Sequence, residues 1–578
     1  MLKTRFAAFL ALAAFTLVSG CSPAERDQSA TTTEQQAEQQ VELRSAAVAM
    51  PDRYGAEVAE QILKAGGNAV DAGIAAGLAL AVSYPEAGNI GGGGFMLIRM
   101  NGEDFFIDYR EKAPGAADRD MYLDVNGDVV KGLSLIGHLA VGVPGTVAGF
   151  WEAHQRFGTL PWRDLVMPAV RIAEEGFEVP DKLGGGMLTR LERYEGKTNF
   201  ADYFGDMKTG ELHKQPELAA TLRRIAENGV DEFYKGKTAD LIVAEMERGN
   251  GLITMEDLAN YKAVWRDPIH ADWRNYRIVS APPPSSGGVG LVQLLKIRDY
   301  IDHHFEGIEH NSAQYVHLVA EIEKLVFADR AEYLGDPDFV DARVDELLDD
   351  DYIQGRAQEV NPEAISMDVG PGTEFEPHDT THYSVLDQWG NAVSNTYTLN
   401  LGFGSGVVVT GAGFLLNDEM DDFAIKAGVP NAFGVVGSQA NEIEPGKRML
   451  SSMTPTILLR DDEVAMVVGT PGGSTIFTSV FQAIMNVMDF GMSPLEANGA
   501  ARFHHQLLPP DVILTQPDSP LPEETLSLLG DLGYKTRDIY NYGDLQMIYD
   551  DGETVRAASD PRNRGHSKII KIAAETDQ

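Results

Sequence analysis

The most informative side chains for chemistry in this 578-residue chain lie between His378 and Asn400. Thr380, Thr381, His382, Tyr383, Ser384 and Val385 precede Gln388-Trp389-Gly390, and Val393, Ser394, Asn395, Thr396, Tyr397, Thr398 and Leu399 follow it. Both flanks alternate in character, and Gly390 suits the left-handed position of a three-residue hairpin loop. With Trp389 at the centre, Val385 opposes Val393, Ser384 opposes Ser394, His382 opposes Thr396 and Thr380 opposes Thr398. Side chains two apart share a face. One face then carries Thr380, His382, Ser384, Ser394, Thr396 and Thr398, while Tyr383, Val385, Val393, Tyr397 and Leu399 turn to a core. Opposed Cβ atoms sit about 5 Å apart, so the Thr380 and Thr398 hydroxyls come within hydrogen-bonding reach. Paired hydroxyls suit nucleophilic chemistry, yet such a face on a strand is more often merely solvated. The hairpin alone favours the solvated reading.

A second candidate is Gly472-Gly473, inside Thr470-Pro471-Gly472-Gly473-Ser474 at the mouth of a helix predicted over about 474–489. Glycines let a backbone approach closely, and free N–H groups at a helix start suit an oxyanion. A tight strand-to-helix turn explains the same residues. Other fragments fail. Gly91–Gly94 lacks the Lys-Ser/Thr ending of a phosphate loop. Asp124-Val-Asn126-Gly127-Asp128 starts like a calcium loop but has no later glutamate, and reads as a hairpin turn. His303-His304 and His504-His505 are adjacent pairs, expected to point apart and to be solvated or packed, not metal-bound. No Gly-x-Ser-x-Gly elbow is present.

The elements that must position these segments alternate along the chain. Helical patterning covers 54–65 and 69–82, broken at Gly66-Gly67-Asn68. Strands are predicted over 95–100 and 105–109, joined by Asn101-Gly102. Amphipathic helices follow at about 145–157, 161–175, 216–228, 236–248, 287–301 and 312–333. The last third is richer in strands, at 381–387, 391–399, 456–460 and 464–468. Mixed strands with helices outside imply a layered α/β/β/α body. No repeat of 20–50 residues is seen.

Composition bounds the function. With 43% hydrophobic and 23% charged residues the chain is an ordinary globular one. A formal net charge of -40 repels nucleic-acid phosphate and anionic lipid, so neither is an expected partner. Cys21 is the one cysteine, which excludes a disulfide scaffold and a cysteine-based metal cluster. Lys3 and Arg5 precede an apolar run from Phe6 to Val18, too short to span a bilayer comfortably. The run ends Val18-Ser19-Gly20-Cys21, which resembles the lipobox of bacterial lipoproteins. That implies a signal peptide over 1–20, lipidation of Cys21, and outer-membrane sorting permitted by Ser22. Residues 21–45 are polar and read as a flexible tether. The expected location is exported, either periplasmic or lipid-anchored at the outer membrane.

From about residue 45 to 570 the chain resembles the γ-glutamyltransferases (glutathione hydrolases). The resemblance rests on Thr380-Thr-His-Tyr-Ser-Val385 with Thr396-Tyr-Thr-Leu-Asn400. It is carried further by Asn68-Ala-Val-Asp71, Gly91-Gly-Gly-Gly-Phe95-Met96, Asp108-Tyr-Arg110-Glu111 and Val143-Pro-Gly145-Thr. Leu415-Leu-Asn417, Met420-Asp-Asp422-Phe423, Leu450-Ser-Ser452-Met453-Thr-Pro455 and Gly469-Thr-Pro-Gly472-Gly473-Ser474 complete the set, in the family's order. The resemblance implies an α+β, four-layer αββα N-terminal nucleophile hydrolase made as an inactive precursor. Cleavage between Asp379 and Thr380 would give a large subunit (46–379, after the tether) and a small catalytic subunit (380–578) that stay together as a heterodimer. No cofactor or metal is implied.

Chemistry explains why such a chain must be cut. A threonine hydroxyl needs a base near neutral pH. The nitrogen of Thr380 within a chain is an amide; once freed it is an α-amine of pKa about 8, suited to general-base work. By the resemblance, Thr380 first attacks the Asp379 carbonyl, and later the γ-carbonyl of a γ-glutamyl amide such as glutathione. Thr398 would orient it, and Gly472 and Gly473 would form the oxyanion hole. Arg110, with Ser451 and Ser452, would hold the substrate α-carboxylate. Asn400, Glu419 and Asp422 would hold the α-ammonium. Water or an amino acid or peptide would accept the acyl group. Two other functions stand beside this one. A cephalosporin (glutaryl) acylase of the same superfamily is disfavoured by Glu419 and Asp422, because glutaryl groups carry no ammonium. A non-catalytic solute-binding lipoprotein is disfavoured by the retention of Thr380 and the glycine pair.

Two departures from the family pattern matter. Asp418-Glu419 stands where some bacterial relatives carry Asn-Gln. The segment 424–450 matches the family's lid, with Phe433 where a tyrosine gate is frequent. A lid lacking that hydroxyl admits more water. Phe433→Tyr is therefore expected to lower hydrolysis relative to transfer. Partitioning of γ-glutamyl product between free glutamate and a dipeptide acceptor measures it, and an unchanged ratio removes the lid argument.

Overall fold

Helices begin where polar caps meet apolar runs. Asp52 accepts from the Gly55 N–H at 2.8 Å and opens α1, Arg53–Lys64. Asn68 and Asp71 cap each other's backbone groups at the start of α2, Ala69–Ser83, which gives the Asn68–Asp71 block its physical meaning. All 15 residues of α2 are buried, as befits a helix that is apolar all round. The computed structural model describes residues 45–366, 380–426, 431, 438–506, 511–540 and 542–572. The signal segment, Cys21, the tether up to residue 44, Asp379 and Phe433 lie outside the described residues.

Two antiparallel sheets form the middle layers. Their strands in chain order are β1 Ala46–Met50, β2 Gly93–Met100, β3 Glu103–Asp108, β4 Val264–Arg266, β5 Ile269–Trp273, β6 Tyr276–Ser280, β7 Thr380–Leu386, β8 Ala392–Thr398, β9 Thr456–Arg460, β10 Glu463–Gly469, β11 Gln546–Asp550, β12 Val555–Ser559 and β13 His566–Ile570. The seven-stranded sheet runs β13-β1-β7-β8-β2-β3-β4, and the six-stranded sheet runs β12-β11-β10-β9-β6-β5. A large core that includes α1, α2 and the helices Thr146–Phe157, Trp162–Glu175 and Pro216–Asn228 covers the outer face of the first sheet. Helices Gly287–Tyr300, Ala313–Tyr333 and Ile476–Met488 cover the second. Phe95, Leu97, Val279, Ile457, Val467 and Ile548 pack between the sheets. The body is thus α+β in four layers, αββα.

The hairpin register is the one its sequence implies: Val393 pairs with Val385, Ser394 with Ser384, Thr396 with His382 and Thr398 with Thr380. Gly390 takes φ 85° in the loop. The solvated-face expectation is corrected, because the hydroxyl face is buried against the second sheet. Ser384 Oγ donates to the Gln546 carbonyl at 3.0 Å, and Ser394 Oγ accepts from the Thr456 N–H at 3.0 Å. Ser384 therefore takes the His382 Nε2–H (3.1 Å), and His382 Nδ1 accepts from Thr396 Oγ1 (2.8 Å). Burial pushes His382 down to about 3, so this ring is neutral and works as a packed hydrogen-bond relay.

The remaining fragments resolve simply. Asp124 Oδ1 accepts from the Asn126 and Asp128 N–H groups, and Leu123 bridges Val129 across a turn. His504 and His505 are buried. His303 and His304 do not point apart: their ring centroids are 4.0 Å from each other in a short 3-10 turn. The turn lies at the surface, where no core packing separates the rings.

The hairpin is tied to α2 by Asp387. Its carboxylate accepts from the Trp389 N–H, the Asn391 N–H and Asn391 Nδ2, each at 2.9 Å, and from the Ala69 N–H at 3.0 Å. Asp387→Ala leaves buried donors unsatisfied and is expected to cost about 3 kcal/mol. A lower urea midpoint at unchanged slope reports it; a midpoint equal to that of the native chain contradicts this account of the turn.

Candidate active site

Thr380 is the first residue of β7, only 6% exposed, and its Oγ1 lies 3.3 Å from Thr398 Oγ1. Thr398 Oγ1 accepts from the Asn400 N–H at 2.7 Å, which fixes that hydroxyl. Asn400 adopts φ 81°, a left-handed conformation asparagine tolerates. It turns the chain away from β8, and its Nδ2 donates to the Asp418 carbonyl at 3.0 Å. Its side-chain oxygen is left to accept.

Asp418 leads into the 3-10 turn Glu419–Asp422. Arg110, just beyond β3, lays its guanidinium between Glu419 and Asp422, with Glu111 3.7 Å away. Burial pushes Glu419 well up and Asp422 up, and the Arg110 charge opposes it in both. Burial alone would lower Arg110, but Glu419, Asp422 and Glu111 outweigh it and push it above its ordinary value. Glu111 is also pushed up by burial.

The serines close the opposite side. Ser451 Oγ accepts from the Met453 N–H at 3.1 Å, and Ser452 Oγ accepts from Arg330 Nη2 at 3.3 Å. Each hydroxyl proton is thereby left to donate. Arg330 also donates to Ser286 Oγ at 3.1 Å. Burial pushes Arg330 down to about 10, against the pull of Asp422. Gly472 (φ 138°) and Gly473 (φ 56°) take conformations that favour glycine. The Gly472 carbonyl accepts from the Thr475 N–H at 3.0 Å and Thr475 Oγ1 at 2.9 Å. Among the described residues, neither glycine N–H donates to a protein acceptor.

Thr380, Thr398, Arg110, Asn400, Glu419, Asp422, Ser451, Ser452 and Gly473 all line one pocket of about 20 Å³. Gly472 adjoins it through Gly473. Met453 and Ser474, from the motif blocks, complete the wall with Arg330 and Ile476, which no sequence motif points to. Arg330 had one signal. It follows Val319, Glu323 and Val326 at helical spacing, so it stands on a face otherwise partly apolar.

A threonine hydroxyl at the head of a central strand, free backbone amides near it and an αββα sandwich around it have the architecture of an N-terminal nucleophile hydrolase. The family described as Gamma-glutamyltranspeptidase matches residues 55–570, and the chain belongs to that family. It is 58% identical over 532 residues to the glutathione hydrolase proenzyme of Pseudomonas aeruginosa, covering 92% of this chain and 95% of that one. Cephalosporin acylase from Bacillus halodurans superposes with TM-score 0.79 at 28% identity, covering 92% of this chain and 96% of that one. Gamma-glutamyltranspeptidase from Pseudomonas nitroreducens, solved with L-DON, gives TM-score 0.54 at 56% identity over 55% of this chain and 95% of that one.

Removing Arg110 tests the electrostatics. Arg110→Ala strands buried carboxylates and is expected to cost about 3–5 kcal/mol at neutral pH. Carboxyls whose folded pKa is raised hold protons that the unfolded chain releases, so stability falls as pH rises through that window. The deficit against the native chain is therefore larger at pH 8 than at pH 5. Urea unfolding at both values measures it, and a deficit independent of pH refutes the buried-acid account.

Proposed function

We propose that the chain is a glutathione hydrolase and γ-glutamyltransferase that cuts itself between Asp379 and Thr380. The observation that carries this reading is the Arg110–Glu419–Asp422 group lining the same pocket as the Thr380–Thr398 hydroxyl pair. A γ-glutamyl group offers an α-carboxylate and an α-ammonium on one carbon. Arg110, Ser451 and Ser452 suit the first, and Asn400 Oδ1, Glu419 and Asp422 suit the second. Binding of that group supplies Arg110 and the two acids each with an opposite charge.

Thr380 Oγ then attacks the γ-carbonyl, and its own freed amine takes the proton. Negative charge on the carbonyl oxygen meets the N–H groups of Gly472 and Gly473. Collapse breaks the amide bond, and the ammonium of Thr380 returns the proton to the departing amine. Water releases glutamate from the ester, and an amino acid or peptide takes the γ-glutamyl group instead. A glutaryl substrate leaves Glu419 and Asp422 without a cation, which favours the γ-glutamyl reading over a cephalosporin acylase. We assign export to residues 1–20 and a lipid anchor to Cys21, with delivery to the periplasm or outer membrane. The motif that ends at Cys21 supports this.

Mass spectrometry of the purified protein, with release of p-nitroaniline from γ-glutamyl-p-nitroanilide, tests the reading for the native chain and Thr380→Ala. The native chain is expected as two fragments, the smaller starting at Thr380, with turnover. Thr380→Ala is expected as one inactive polypeptide. A cut and active Thr380→Ala would overturn the assignment, and a native chain that migrates as one band would make it a binder.

A further inference from the structure

Arg330 stands in the wall of the Thr380 pocket without a counter-ion. It lies in the last turn of the helix Ala313–Tyr333 and is 8% exposed. Its Nε donates to Ser286 Oγ at 3.1 Å and its Nη2 to Ser452 Oγ at 3.3 Å. Among the described residues it forms no ion pair, and Asp422, the acid that acts on it, is taken by Arg110. A buried charge without an opposite charge is costly, and buried guanidinium groups are ordinarily matched to carboxylate or phosphate. Arg110, by contrast, already has both Glu419 and Asp422. The cation of this pocket that lacks a carboxylate is therefore Arg330.

The contact with Ser452 has a direction. A guanidinium only donates, so Ser452 Oγ accepts and its own proton must go elsewhere. The positive charge behind that hydroxyl also makes it a stronger donor. The other edge of the guanidinium is fixed just as firmly. Ser286 accepts from Arg330, and its hydroxyl and its N–H both donate to the Ser451 carbonyl, at 2.9 and 2.8 Å. One side chain from before residue 379 thus holds both serines, which come from after it.

We propose that Arg330 is a positioning residue for the α-carboxylate of the γ-glutamyl group, acting through Ser452. It keeps Ser452 Oγ as its acceptor, so that the Ser452 proton is given to the carboxylate. It also supplies a counter-charge that Arg110, shared between two acids, gives only in part. The proposal rests on the γ-glutamyl reading above and adds to it a residue outside the motif blocks.

The test is steady-state turnover of γ-glutamyl-p-nitroanilide by processed enzyme, for the native chain, Arg330→Met, Ser452→Ala and the two together. Arg330→Met keeps an unbranched side chain and removes the charge and the donors. It is expected to raise KM about tenfold, the worth of one charge-assisted hydrogen bond, with kcat within about twofold of native. Because Arg330 acts through Ser452, the double variant is expected to fall no more than about threefold below the poorer single variant in kcat/KM. If Arg330→Met yields no cut enzyme, Arg330→Lys decides. It keeps the charge but has one nitrogen in place of the fork, and is expected to raise KM about threefold. A purely structural tie would lower the yield of cut enzyme or kcat and leave KM as it is. That result overturns the proposal, as does a double variant whose two losses multiply. A native enzyme that releases no p-nitroaniline fails the parent reading instead, and the two failures are thus told apart.

Discussion

The pairing of β7 with β8 is the constraint on which the site depends. Side chains alternate along a strand, so a slip of one residue sends every hydroxyl of this hairpin to the helix side and every tyrosine to the sheet side. Several contacts forbid that slip. Tyr397 donates from its hydroxyl to the Gly77 carbonyl of α2 at 2.9 Å, and Tyr109 to Asn395 Oδ1 at 2.6 Å. On the other face Ser384 and Ser394 engage backbone groups of the second sheet. The loop is fixed by Asp387, which joins the hairpin to the start of α2. With both faces specified, Thr380 has one place to be, opposite Thr398.

Against that fixed hydroxyl the protein sets buried charges, which cost stability unless paired. Arg110 lies among Glu111, Glu419 and Asp422, and Asp422 also acts on Arg330. Facing inward, the group pairs its charges but leaves Glu111 Oε1 and Oε2 and Glu419 Oε2 without a hydrogen bond. A zwitterion adds no net charge when it enters, so it can take over both ends of the ion pair. A monoanion would satisfy Arg110 and leave buried acids behind. Such an arrangement would favour a zwitterion over a monoanion of similar shape.

The hairpin was legible because two independent signals agree, a period of two and a glycine suited to the loop. The long helices were legible from their apolar stripes or, for α2, from an unbroken apolar run, and their ends fall within a residue or two of the expected ones. What stayed hidden has physical reasons. β1 reads Ala-Ala-Val-Ala-Met, a helix-prone composition that becomes a strand only between β13 and β7. Strands β4, β6, β11 and β13 are short, and each has a partner far away in sequence, namely β3, β9, β10 and β1. The burial of the hydroxyl face depends on a second sheet that no local pattern announces. The individual site residues were found through their motif blocks; taken singly, Arg110 reads as a surface ion pair and Ser451-Ser452 as a turn. Arg330 belonged to no such block and was missed.

Sheet order also bears on how a chain of this kind could be cut and stay whole. In the first sheet, β7 lies against β1 and β8 against β2, so strands from after residue 380 are held between strands from before it. In the second, β9 pairs with β6 across the same divide. Neither segment has a complete sheet of its own, and both must therefore fold together before any cut is made. Thr380 is already paired with Thr398 as the first residue of its strand. Scission just before it leaves that pair and the rungs that follow it along β7 in place. A cut there leaves the described ladders paired, which makes it compatible with an unchanged core.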